Sequence, residues 1–353
     1  MKKILLTILI LITSVSFVFA QESNPIKIKG KVVSVNEIEC SQDLDIDYVC
    51  YTYDIFLSQT EETVTTMSSM LEKSESSFEV GDPVYVTSMD DLDGESTWSI
   101  TGYVRGGSIL FWSILFVVLA FVIGGKKSFG SILSLVLSFV VLYFFMIPSL
   151  LNSSNILLVG YIGALVILTL SMYLAHGFKR QTTIALISTY FGVVIVSILA
   201  WVLIKSLHIN GMGEENAFFL ASQTAGSIDI QKLFFISILI GAVGVLDDVT
   251  IGQTSSMYEI YTANINISSR ELYRKTMNVG KEHVASMINT LFIVYAGSSI
   301  SLVMLMYLSN RDFGSLISID MITEEIVRTL AISIALLLVV PISTIISSKL
   351  LTK

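Results

Sequence analysis

Two adjacent carboxylates, Asp247 and Asp248, close an apolar run that is too short to cross a bilayer without them. Between Lys232 and Asp247 lie 14 uncharged residues, a helical length of about 21 Å against a hydrocarbon thickness of roughly 30 Å. Either the run is not a span, or it continues to about Gly252 and carries both acids into the low-dielectric layer. An ionised carboxylate there costs ~2.5 kcal/mol or more and turns toward a protein interior or a watery cavity. The pair is therefore a candidate proton or cation site. The alternative is that the span ends at Leu246 and one acid caps a following inner-face helix. Acids at a helix C-terminus oppose the macrodipole unless a new helix starts there.

Helix periodicity selects the neighbours. Gly241, Gly244, Asp248, Gly252, Ser255 and Glu259 share one face, a small and polar stripe that lets another helix come close. Asp248 is then the ion-responsive residue, with Gly241, Gly244, Gly252 and, on a later span, Gly297 as packing positions. Asp247 points about 100° away, beside Thr250 and Thr254, and Gln253 is a further candidate neighbour. The run from Gly280 to Gly297 puts His283, Ser286 and Thr290 along one side with Asn289 adjacent. Because one span enters the inner face and the next leaves it, Asp248 and His283 fall at similar depth. A proton-sensitive Asp and His pair is one reading; a His bonded to headgroups or backbone is the other. His176, beside Lys179 and Arg180, reads as an interfacial anchor.

The elements that must position these residues follow from composition. The 353 residues are 53% hydrophobic and 14% charged with a mean hydropathy of +0.75, too apolar for a soluble globular chain. Residues 21 to 105 hold 17 Asp and Glu against 5 Lys and Arg, although the whole chain has a net charge of only −8. An acidic head is thus separated from a more basic membrane body, and nothing is basic enough for nucleic acid. Residues 1 to 20, with Lys2-Lys3, an apolar core and Ala20, have the form of a secretory signal. Residues 21 to 105 read as an exported, β-rich, barrel-like domain, with strands near Ile26–Val35, Val49–Leu57, Val84–Thr87 and Trp98–Val104. Thr60 to Ser77 is polar and reads as a helix or loop. Cys40 and Cys50 are the only cysteines and suit a disulfide in an oxidising compartment. Asp43, Asp45 and Asp47 between them have calcium-loop spacing, but Tyr48 stands where Gly is needed.

Residues 106 to 353 form the membrane domain, an α-helical polytopic bundle of about seven transmembrane helices. Apolar runs fall near 108–123, 129–146, 156–174, 182–204, 233–252, 283–308 and 326–347. Loops on the side opposite the head carry 10 Lys and Arg against 4 on the head side, which sets the head outside and the C-terminus inside. Trp112 and Trp201 fall near outer span ends as interfacial belts. Ala217–Ala221 reads as an interfacial or re-entrant segment, Thr254–Glu282 as amphipathic helices on the inner face, and Pro341 as a kink in the last span. No P-loop, His-Glu-x-x-His or Gly-x-Ser-x-Gly occurs, so no enzyme activity, cofactor or metal is expected.

The run Gly241-Ala-Val-Gly-Val-Leu-Asp-Asp-Val-Thr-Ile-Gly-Gln-Thr-Ser-Ser256, with Gly280-Lys-Glu-His-Val-Ala-Ser-Met-Ile-Asn-Thr-Leu291 and Tyr295-Ala-Gly297, resembles the YibE/F family of bacterial multi-pass membrane proteins. The likeness covers most of residues 80 to 310, including Phe78–Val84 and Gly124-Gly125-Lys126-Lys127; Gly252, where many relatives look to carry Ser or Thr, is a small departure. The resemblance implies a location in the bacterial cytoplasmic membrane and an exported β-rich head. An ion-coupled transporter or permease for a small ion or solute is the leading expectation. The alternative is a non-transporting sensor, assembly or scaffold protein whose head binds a partner, a membrane protein or a second copy.

Overall fold

The computed structural model describes residues 27–38, 48–71, 78–90, 96–152, 155–309 and 312–352. The signal segment, Cys40 and the acidic loop Asp43–Asp47 lie outside them. Five antiparallel strands, β1 (Lys27–Ile38), β2 (Tyr48–Leu57), β3 (Thr63–Leu71), β4 (Pro83–Asp90) and β5 (Ser96–Tyr103), form one sheet in the order β3-β2-β1-β4-β5. Alternation puts Val32, Tyr53, Ile55, Leu57, Val84 and Val86 on the buried face. The sheet curves until Thr66 Oγ1 on β3 donates to the Trp98 carbonyl on β5 at 2.5 Å. No ladder joins these two edges, so the expected barrel is an open, curved sheet. The segment expected as a helix or loop contains β3. Its Thr63-Val64-Thr65-Thr66 is β-branched throughout, and such residues favour the pleated surface even when polar. Cys50 is buried on β2.

The sheet and the chain up to Ala120 belong to one compact unit, and the helices from Phe121 onward to another. Helix α1 (Gly106–Gly124) is apolar on all sides and buries none of its residues. Helix α2 (Lys126–Val140) continues through a π-turn, Val141–Met146, to Ile147–Asn152. Helix α3 (Ile156–His176) starts where the Asn155 side chain accepts the Leu158 N–H, and ends at Gly177. Helix α4 is Arg180–Ser206, and the segment Ala217–Ala221 lies in the short α5 (Glu215–Gln223), which buries no residue and exposes Phe218 and Phe219.

Helix α6 (Ile230–Ala263) is one unbroken helix of 34 residues, capped by Asp229, whose side chain accepts from Lys232 N–H at 3.1 Å. Neither Asp247 nor Asp248 caps anything. Helices α7 (Ser269–Ser298) and α8 (Ile300–Leu308) meet at a 67° bend, α9 is the single turn Phe313–Leu316, and α10 (Asp320–Leu351) carries Pro341 without ending. The expected inner-face helices at Thr254–Glu282 are therefore the last turns of α6 and the first of α7. Among the described residues six helices are long and apolar enough to cross a membrane, and seven if α7 and α8 form one broken span.

Polar contacts fix the two ends of the bundle. At one, Asn210 Nδ2 donates to Asp320 at 3.2 Å, Gly213 N–H to Glu324 at 3.0 Å and Arg328 to Glu214 at 3.0 Å. At the other, Arg180 donates to the Leu350 carbonyl and Gln181 to Ser255 at 2.7 Å. We refer to these as the Asn210 end and the Arg180 end. Helix α6 finishes at the Arg180 end and α10 begins at the Asn210 end, so α7 and α8 carry the chain back along the bundle. Helix α6 packs against α3, α4, α7 and α10, the most enclosed position of all the spans.

Candidate functional site

Helix α6 buries Leu239, Ala242, Val243, Leu246, Asp247 and Thr250, the arc that faces α3, α4 and α10. Asp247, not Asp248, is therefore the enclosed carboxylate: Asp247 is 8% exposed and Asp248 is exposed. Ser171 on α3 donates to Asp247 Oδ2 at 2.9 Å, while Oδ1 is buried with no hydrogen-bond partner among the described residues. Eight residues, about 12 Å, separate Asp247 from Ser255 at the Arg180 end, and 15 residues, about 22 Å, separate it from Lys232. The carboxylate is deep within the helical bundle.

The Gly241, Gly244, Asp248, Gly252 stripe is the open side of α6, a correction to its expected role at a tight helix interface. A Cβ on Gly244 would meet nothing within 4 Å, and one on Gly241 or Gly252 would meet only ordinary contacts. Gly297 is likewise open. Close helix approach falls elsewhere: a Cβ on Gly160 would lie 2.4 Å from Ile236, one on Gly192 2.8 Å from Val339, and one on Gly280 2.7 Å from Gln253 Nε2. The stripe is the least enclosed side because α3, α4, α7 and α10 cover the rest of the helix, leaving Gly244 and Asp248 exposed and Gly241 and Gly252 partly so.

His283 lies along this open side, its Cε1 3.8 Å from where a Gly252 Cβ would stand, with Nε2 3.1 Å from Met287 Sδ. It is one turn of α6 from Asp248, and no hydrogen bond joins the two among the described residues. His176, at the end of α3, is within electrostatic reach of Asp248. Asn289 and Thr290 are exposed on α7, and the Thr290 hydroxyl donates to its own Ser286 carbonyl at 3.0 Å. The structure does not gather these two with either aspartate.

Gln253 is 4% exposed, and its Nε2 donates to the Thr276 carbonyl at 3.1 Å and to Thr344 Oγ1 at 2.8 Å. This side-chain amide ties α6 to α7 and α10, and Gly280 is what lets α7 lie over it. Around it the core is rich in hydroxyls. Thr189 and Thr250 share a hydrogen bond of 2.6 Å, Thr254 and Ser347 one of 3.1 Å, and the buried hydroxyls of Thr276 and Ser343 have no partner. Ser171, Thr189, Gly280, Thr344 and Ser347 were not singled out by sequence reasoning. Their signal is the repeated placement of Ser and Thr in one half of several spans, as in Ser188-Thr189, Ser343-Thr344 and Ser347-Ser348.

Such a cluster has the parts to exchange a proton: one carboxylate with an unpartnered oxygen, one donor that orients it, and uncharged hydroxyls around it. Among the described residues no group of three or more His, Cys, Asp or Glu could hold a metal ion.

No curated protein and no solved structure matches the chain. The family model described as YibE/F-like protein matches residues 112–353, the helical body from Trp112 within α1 onward with both aspartates, Gln253 and Gly280, while the β-sheet lies before the match. On that coverage, the chain belongs to the YibE/F-like protein family.

Proposed function

We propose that this integral membrane protein is an ion-coupled secondary transporter or permease of the bacterial cytoplasmic membrane, without enzymatic activity, in which Asp247 is the ion-responsive group. One observation carries the reading: Asp247 is buried in the bundle, and its Oδ1 has no hydrogen-bond partner among the described residues. A lone buried carboxylate oxygen costs free energy in a folded protein, and a site that gains or loses a proton or cation is a reason to keep one. The basic residues Lys179, Arg180 and Lys349 flank the spans at the Arg180 end, which favours that end as cytoplasmic and the β-sheet head as external.

The test is proton movement in proteoliposomes that carry a potassium diffusion potential and an internal pH dye. The wild-type chain is expected to move protons faster than protein-free vesicles, Asp247→Asn to fall to the protein-free rate, and Asp248→Asn to keep most of the flux. A wild type indistinguishable from empty vesicles, or an Asp247→Asn variant with unchanged flux, overturns the reading. The non-transporting sensor or scaffold would then remain.

A further inference from the structure

The buried polar residues are distributed unevenly along the bundle, and Asp247 marks the boundary. Between Asp247 and the Arg180 end the core holds Thr250, Gln253, Thr254, Thr276, Thr344 and Ser347, each less than 5% exposed. Thr250 and Thr254 are one turn apart on α6, so hydroxyls recur about every 5.4 Å toward that end. Two further oxygens there, Thr276 Oγ1 and Ser343 Oγ, are buried without a partner, as is Asp247 Oδ1.

On the other side of Asp247 the core next to it is apolar, and the buried Glu324 and half-buried Arg328 of that half stand at the Asn210 end itself. Gly192 on α4, Leu246 on α6 and Val339 on α10 form a close layer, in which a Cβ on Gly192 would lie 2.8 Å from Val339 Cγ2 and 3.0 Å from Leu246 Cδ1. Beyond it Val196, Leu239, Val243 and Leu336 continue the apolar core. The buried hydroxyl of Ser197 in this half is satisfied by its own Val193 carbonyl at 2.7 Å. A charge cannot cross such a layer cheaply, whereas unpaired hydroxyls and a carboxylate oxygen offer a proton successive acceptors.

We propose that Asp247 is loaded from the Arg180 end by a proton that travels through this hydroxyl-lined half of the core as water enters it from that end, and that the Gly192, Leu246 and Val339 layer seals it from the Asn210 end. This rests on the ion-responsive reading of Asp247 and names the ion and the side of access. A proton fits better than a metal cation because most of the oxygens are already paired with one another, as in Thr189 with Thr250 and Thr254 with Ser347, so they do not form a cation's shell. The other titratable groups near Asp247 are few. Asp248 adjoins it on α6 and faces the open side, and His176 and Tyr173 stand further along α3. Helix α4 brings only Tyr190, whose hydroxyl is bonded to Thr169 at 2.7 Å. Helix α10 has its charges at its two ends, and α7 has His283 on the open side.

The test is labelling of single cysteine substitutions in full-length protein in nanodiscs, with a small charged thiosulfonate and mass spectrometry to locate the label. The wild-type chain, with Cys40 and Cys50 only, supplies the background. Thr254→Cys is expected to react at least about tenfold faster than Val243→Cys, because a charged reagent does not enter an apolar layer. Adding Val339→Ser to the Val243→Cys chain should raise its rate severalfold. Equal rates at 254 and 243, or a faster 243, overturn the one-sided route. Protection of Thr254→Cys by sodium but not by acid overturns the proton assignment in favour of an alkali cation. Labelling reads water access and not flux, so the two readings fail separately. Loss of flux in Asp247→Asn with an unlabelled Thr254→Cys refutes the route alone, whereas a labelled Thr254→Cys with full flux in Asp247→Asn refutes the role of Asp247.

Discussion

The bond between Ser171 and Asp247 ought to be measurable as a coupling energy. Ser171→Ala removes the donor to Oδ2, and because Oδ1 already has no partner, the carboxylate is then left without any protein donor. A hydrogen bond to a charged group contributes about 1.5–3 kcal/mol and one between neutral groups about 0.5–1.5, while interhelical bonds in membranes average ~0.6 with a maximum near 1.7. These ranges overlap at about 1.5 kcal/mol, which is the expected cost of Ser171→Ala in the wild-type background and corresponds to roughly a tenfold change in the unfolding equilibrium. In the Asp247→Leu background the same substitution should cost less than about 0.5 kcal/mol, since no acceptor remains. Asp247→Leu alone should cost little, because the lost bond from Ser171 is offset by removing a buried carboxylate whose Oδ1 has no partner in favour of an apolar group of similar size. The assay is reversible unfolding in mixed micelles followed by circular dichroism, for the wild type, both single variants and the double variant. An equal cost of Ser171→Ala in both backgrounds would refute the bond and with it the enclosed position of the carboxylate.

The two classes of glycine should separate in the same assay. Gly280→Ala places a Cβ 2.7 Å from Gln253 Nε2 and 2.8 Å from Val340 and should cost about 1–3 kcal/mol, with partial recovery when Gln253 is shortened to Ala. Gly244→Ala, with nothing within 4 Å, should be neutral or slightly stabilising through helix propensity. In the head, the Ser34 and Thr65 hydroxyls, at 2.6 and 2.7 Å, hold the Asp54 carboxyl below its ordinary range. A depressed folded value means that this contribution is complete above the unfolded pKa of about 3.9 and is lost as pH falls through the folded one. Limited proteolysis of the full-length protein across that acid range should show a shallower loss of head protection for Asp54→Asn than for the wild type. Glu214→Gln weakens a half-exposed ion pair with Arg328 and should change stability by at most about 1 kcal/mol.

Length singled out the aspartate pair: an apolar run of 14 residues is too short to span, which left either a helix ending at Leu246 or one that carries both acids with it, and α6 runs unbroken through both. Which acid is enclosed was not legible. Small residues usually mark where helices touch, and Gly241, Gly244 and Gly252 pointed to Asp248. Helix α6 is surrounded by α3, α4 and α10, so its buried arc is wide and filled by Leu239, Val243 and Leu246, and the glycines take the side that is left. An all-round apolar helix carries no facial signal to correct this. The stretch after Gly252 misled for a related reason. Its hydroxyls and amide look suited to a water interface, yet Gln253, Thr254 and Ser255 find partners on α10, α7 and α4, and partners on other helices are not visible in one segment of sequence. In the head, alternation of Val and Ile located β1, β2, β4 and β5, while β3 was hidden because its β-branched residues are mostly threonines. Closure of the sheet depends on edges far apart in sequence, which strand patterns do not report.

The most direct test of the account is infrared difference spectroscopy of the protein in nanodiscs across an acid titration, comparing the wild type with Asp247→Asn and Asp248→Asn. A carbonyl stretch from a protonated carboxyl in a weakly hydrogen-bonded setting should rise in the wild type and in Asp248→Asn and be missing in Asp247→Asn. A band that survives in Asp247→Asn and disappears in Asp248→Asn would contradict the assignment of Asp247 as the enclosed, ion-responsive group.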